Sequence, residues 1–194
     1  MIRTYHNRLR ISLTPGFCFF LALLILSVPL RWLLAAAISV AMHEMCHIAA
    51  IRCFGNKIYS LQVGIGGARI HTQPMTPFRE LICALAGPAG GAVLLLLVRW
   101  FPMVAICAGI HTFYNLLPVH PQDGGRALRC GARLLLPDRW ANWVCNIVEY
   151  VCLAGVGFLG VYGTFILKVG IFPVAFAILF LQRSSRMKNT LQSV

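Results

Sequence analysis

The chain has 194 residues, 59% of them hydrophobic and only 11% charged, whereas about a quarter of the residues in soluble domains are charged. This excludes an ordinary soluble enzyme and predicts an integral membrane protein of one domain, because apolar runs spaced along residues 1–194 leave no stretch for a second. The formal net charge of +12 does not point to nucleic acid, since the bases lie between apolar runs rather than in one patch.

Taken in chain order, the runs and their punctuation predict an all-α polytopic protein with about six transmembrane helices: 11–30, 32–51, 80–98, 103–117, 141–162 and 167–182. The breaks fall at "PLRW", at "VRWFP" and around Gly163 to Gly170, where proline, arginine or glycine permits a tight turn. With a cytoplasmic N-terminus, 14 of the 17 basic residues face the cytoplasm, leaving Arg31, Arg99 and Lys168 outside. A wrong span count would scramble that alternation, so both termini are expected inside. The first span lacks a small-residue cleavage site and runs straight into the second, and is read as a retained span rather than a signal peptide. The eight cysteines form no CxxC pair and fall mostly within spans, so no disulfides are expected. The tail "RSSRMKNTLQSV" is read as mobile and cytoplasmic.

The second span contains "VAMHEMCHIAAI", residues 40–51. On a helix His43 and His47 project from one face, and Glu44, about 100° round from His43, reaches the same site. This is the HExxH spacing of a zinc site: two neutral imidazoles supply ligands, and an uncoordinated glutamate takes a proton from a water made acidic by the metal. Each ionisable residue at a span centre costs about 2.5 to 3.5 kcal/mol on insertion scales, so three within five positions imply compensation by a metal or by partners.

A catalytic zinc needs a third protein ligand and an open position. The stretch "YNLLPVHPQDGGRAL", residues 114–128, offers Asp123 just after the fourth span, at the same cytoplasmic end as the histidines. Its prolines and paired glycines suit irregular backbone at membrane depth. By itself Asp123 reads as a turn former.

Between these two stretches, "IYSLQVGIGGARIHT", residues 58–72, partly alternates apolar and polar residues around Gly66 and Gly67, and is predicted to form a short membrane-associated hairpin. Its edge is suited to hold a substrate as an added strand; the alternative is a plain hairpin closing the site. In the fifth span Asn142, Asn146 and Glu149 are expected to share one face pointing into the bundle. Glu149 then either supports the metal residues from behind, lines the substrate entrance, or makes a polar contact between helices. His71 and His111 are read as structural or interfacial.

"HEMCH" followed by "NLLPVHPQDGG", with "GIGGARI" and "ALAGP" between them, resembles the site-2 protease family of intramembrane zinc metalloproteases over residues 35–130. The resemblance implies that His43, His47 and Asp123 bind Zn2+, that Glu44 is the general base, and that a membrane-anchored protein substrate is hydrolysed within the bilayer. Asn115 matches the motif asparagine, and either orients the substrate backbone and polarises its carbonyl or makes a helix-end hydrogen bond. Cys46 stands where the family usually has glycine and is expected to pack. His120 and Gln122 are polar where apolar residues or proline are commoner, which makes His120 the rival third ligand. The core is assigned to 32–130 and the C-terminal helices to 141–182. With no room for the family's soluble sensing modules, regulation is expected through loops or another membrane protein. A bacterial cytoplasmic membrane is the expected location. The competing class is a metal-binding membrane protein without protease activity, a transporter or inactive scaffold, which has no need of Glu44.

Overall fold

The computed structural model describes residues 10–64, 67–168, 170–171 and 173–182. The N-terminal segment, Gly66 and the tail after 182 lie outside the described residues. In order come β1 (Arg10–Leu13), α1 (Pro15–Ser27), α2 (Leu30–Cys53), β2 (Ile58–Gly64), β3 (Gly67–Thr72), α3 (Pro77–Leu95), α4 (Pro102–Leu116), α5 (Asp123–Leu135) and α6 (Asp138–Val161), which runs into a π turn at Tyr162–Ile166. A last short apolar helix, α7, spans Pro173–Gln182.

The fold is helical with one small sheet, as the composition and the hairpin pattern predict. Three helical stretches, Leu30–Cys53, Pro77–Leu95 and Asp138–Ile166, are long and apolar enough to cross a membrane. α1 and α7 are apolar but shorter, and α4 has 15 residues. Large apolar side chains such as Phe19, Leu26, Ile110 and Leu159 point outward, a surface that only lipid or another apolar partner covers at low cost.

The described residues fall into two compact units, one within Met1–Arg79 and Ala86–Thr112 and the other within Glu80–Leu85 and Phe113–Val194. In the first, the sheet order is β1-β2-β3. The predicted hairpin is present, β2 pairing antiparallel with β3. β1 was not foreseen: the first span was expected to begin at residue 11, but Arg10–Leu13 is extended and pairs parallel with β2, Arg10 opposite Ser60. Thr14 ends this strand and caps α1, its hydroxyl accepting from the Phe17 N–H at 3.3 Å, with Pro15 at the first helical position. β1 therefore covers one edge of β2, and β3 forms the opposite border of the sheet.

α2 buries a single row, Ala35, Ser39, His43, His47 and Ile51, each four residues after the last. Its neighbour α3 is small where α2 is polar. A Cβ on Gly90 would collide with the Cys46 sulfur, and one on Gly91 with the Thr112 hydroxyl. Cys46 thus packs on α3. The guanidinium of Arg79 lies 5.6 Å from the centre of the Phe54 ring, a cation–π contact joining the start of α3 to the end of α2.

In the second unit, α5 lies in a region expected to be a polar cytoplasmic segment. Its glycines each lower helix propensity by about 1 kcal/mol, and tertiary contact overrides this. Cβ atoms on Gly124 and Gly125 would collide with backbone of 116–120, so only glycine lets the first turn lie against that segment. In α6 the buried residues are Ala141, Cys145 and Glu149, while Asn142 and Asn146 are exposed. The inward face is thus rotated by roughly 60° to 100° from the expected asparagine stripe, and Glu149 alone of the three faces inward. Small residues at Ala141 and Cys145 permit close helix packing where asparagines would have needed partners. None of the eight cysteines, all among the described residues, forms a disulfide.

Candidate metal centre

His43 and His47 are 1% and 6% exposed, and their Nε2 atoms stand 3.1 Å apart. The rings meet edge to face, with centroids 4.7 Å apart. A third imidazole lies beside them: His111 of α4 is edge-on to His43, with centroids 4.6 Å apart and planes at 80°. This contact was missed by the sequence reading, because a lone histidine on an apolar helix carries no spacing signal. Glu44 is half-buried on the adjoining face of α2.

Gly87 fixes the floor of the pair. A Cβ there would lie 2.7 Å from His43 Nε2 and in collision with His47 Nε2. "ALAGP" thus leaves a side-chain-free hollow at the two nitrogens.

Asp123 opens α5 and is buried. Among the described residues, one group of histidine, cysteine and acidic side chains has the proximity to hold a metal: His43, His47 and Asp123, whose ligand atoms all lie within 4.8 Å of one another. His120 is not in that group. The donor set fits zinc: two imidazole nitrogens and a carboxylate are a known catalytic combination, and tetrahedral geometry with Zn–N near 2.0–2.1 Å requires nitrogens about 3.3 Å apart, close to the 3.1 Å found.

Around Asp123 the second unit is polar. Arg126 Nη1 is 3.7 Å from Asp123 Oδ1, and Arg126 Nη2 is 3.5 Å from Glu80 Oε1. Cys130 is buried close to Glu80, and its thiol is pushed up to about 11, by burial first and by the neighbouring carboxylate second. Gln122, immediately before α5, is 3% exposed, and its side-chain amide finds no hydrogen-bond partner among the described residues. Glu149 is paired with Arg129 at 3.9 Å, an ion pair linking α6 to α5. Asn115 is half-buried in the last turn of α4, and Gly67 begins β3 with φ of +108°, a backbone conformation that favours glycine.

The class defined by these features is a helical membrane protein with a buried His-His-Asp cluster whose two histidines come from an HExxH helix. No protein-family profile and no curated protein matches the chain. Among solved structures it is similar to a site-2 protease from Methanocaldococcus jannaschii, at 21% identity and a TM-score of 0.64, covering 92% of this chain and 90% of that one. The chain has the site-2 protease fold.

Proposed function

We propose that the protein is an intramembrane zinc metalloendopeptidase that cuts membrane-anchored proteins near the cytoplasmic face of a bacterial membrane. The observation that carries this reading is the buried His43, His47 and Asp123 cluster with Glu44 beside it, on a helix apolar enough to cross the bilayer.

His43, His47 and Asp123 would hold the metal. Zinc, when bound there, polarises a carbonyl and makes a water more acidic. Glu44 accepts the proton of the attacking water and delivers it to the leaving amine, which needs a carboxylate close to the ligands but outside their set. Asn115 offers an amide donor to the substrate carbonyl. A helical substrate hides its carbonyls in its own hydrogen bonds, so the segment to be cut must first unwind. β3 supports this step: it borders the sheet, and an extended substrate added along it recovers backbone hydrogen bonds otherwise lost at membrane depth. Gly67, at the start of β3, presents no side chain there; Gly66 lies outside the described residues. Regulation is assigned to another membrane protein or to the loops.

Glu44→Gln keeps shape and polarity while removing the base. In proteoliposomes with a single-span substrate, the variant is expected to retain zinc and to leave the substrate uncut but associated, while chelator stops cutting by the parent. Cleavage by Glu44→Gln at the parental rate would exclude hydrolysis by this motif and make an ion site the better reading.

A further inference from the structure

We infer that Arg126 is a positioning residue for Asp123, held by Glu80, and that this Glu80–Arg126–Asp123 chain sets how the aspartate is offered to a divalent metal. The metal's identity rests on the proposed metalloprotease function; the contacts themselves belong to the second unit alone.

Asp123 and Arg126 are three residues apart on α5 and share a face. The guanidinium is a planar fork, and its two ends engage different carboxylates: Nη1 lies 3.7 Å from Asp123 Oδ1 and Nη2 lies 3.5 Å from Glu80 Oε1. Holding both ends fixes the plane of the fork. These distances are those of ion pairs rather than short hydrogen bonds, so Arg126 biases the rotation of the carboxylate without gripping it. Oδ1 is the oxygen turned to the guanidinium.

Charge balance supports the same role. An isolated guanidinium beside a metal ligand would repel a divalent cation. Glu80 opposes that charge, so the pair is close to neutral and its remaining effect is orientation. The side chains of Arg126 and Glu80 are 37% and 39% exposed and that of Asp123 only 11%, so the two outer members reach solvent while the inner one is shielded. Such outer contacts on metal ligands are worth about ten- to a hundred-fold in metal affinity.

The test uses the full chain in detergent, stripped of metal and titrated with zinc against a chromophoric chelator, with Co2+ absorption as a second readout. Arg126→Ala is expected to bind zinc at least ten-fold more weakly and to change the Co2+ ligand-field bands, while the unfolding midpoint of the metal-free protein stays at the parental value. Arg126→Lys, which keeps the charge but not the fork, is expected to lie between, and it carries the test if Arg126→Ala does not fold. Glu80→Gln is expected to show a smaller loss, and the double variant no more loss than Arg126→Ala alone. Zinc affinity within two-fold of the parent and unchanged Co2+ bands in Arg126→Ala would overturn the inference, and additive losses would detach Glu80 from the chain. A parent that binds zinc tightly but cuts nothing would instead tell against the protease reading; a parent that binds no zinc removes both.

Discussion

The imidazole of His111 stands edge-on to that of His43, their centroids 4.6 Å apart and their planes at 80°. An edge contact of this kind limits how a ligand ring can turn, and outer contacts on metal-binding histidines tune affinity. His111→Leu keeps comparable bulk and removes the polar edge. About a ten-fold loss of zinc affinity is expected, measured by chelator competition; parental affinity would show that the ring contact is passive packing.

Gly87 makes a sharper demand, because any side chain there collides with His47 Nε2. Gly87→Ala is expected to lose both stoichiometric zinc and cleavage while the chain still inserts, as metal analysis of the purified protein would reveal. Gly131 in α5 is the contrast: nothing lies within 4 Å of a Cβ there, and Gly131→Ala should stabilise by about 0.5–1 kcal/mol through reduced backbone freedom. Equal tolerance at the two sites would count against the hollow at the histidines.

Cys130 and Cys53 are expected to differ as thiols. Cys53 is exposed and Cys130 is buried, with the latter's pKa raised from 9.0 to about 11. The thiolate fraction of Cys130 at pH 8 is therefore about a hundred-fold lower than that of an ordinary thiol. Maleimide should label Cys53 in minutes and Cys130 only after denaturation, as read by mass spectrometry of peptides. Because folding raises this pKa, its contribution to stability is fully present below about pH 9 and is lost as pH rises towards 11.

Topology supplies another prediction. In a Cys53→Ser background, Lys57→Cys and Arg139→Cys should react with an impermeant reagent from the cytoplasmic side and Arg99→Cys from the opposite side. Lys57 and Arg139 labelling from opposite faces would contradict the orientation drawn from the basic residues.

The elements legible in sequence were those whose physics is local. A long, mostly apolar run announced α2 at 32–51, against Leu30–Cys53 observed, and glycine-centred alternation announced the hairpin at 58–72, against strands at Ile58–Gly64 and Gly67–Thr72. The i, i+4 spacing likewise placed His43 and His47 together. β1 was hidden because four residues of alternation say nothing about pairing with a strand beyond two helices. α5 was hidden because Gly124, Gly125 and Gly131 argue against a helix until the backbone of 116–120 is in place to require the first two. The inward face of α6 was misjudged by taking Asn142 and Asn146 for interior polar groups, when the packing uses the small Ala141 and Cys145. The His111 contact with His43 and the Arg126 contact with Glu80 join different helices, which no local pattern encodes.

α2 also works as a ruler. Cys53, the last residue of the helix, is nine positions on from Glu44, and at 1.5 Å of rise per residue Glu44 sits about 13 Å in from that end. If the protein is the protease proposed above, a bond brought to Glu44 would be chosen by how deep it sits as much as by which side chains flank it. Lengthening or shortening the juxtamembrane part of a substrate should move the cut along its sequence by a matching number of residues, so that selectivity becomes a property of distance from the membrane surface.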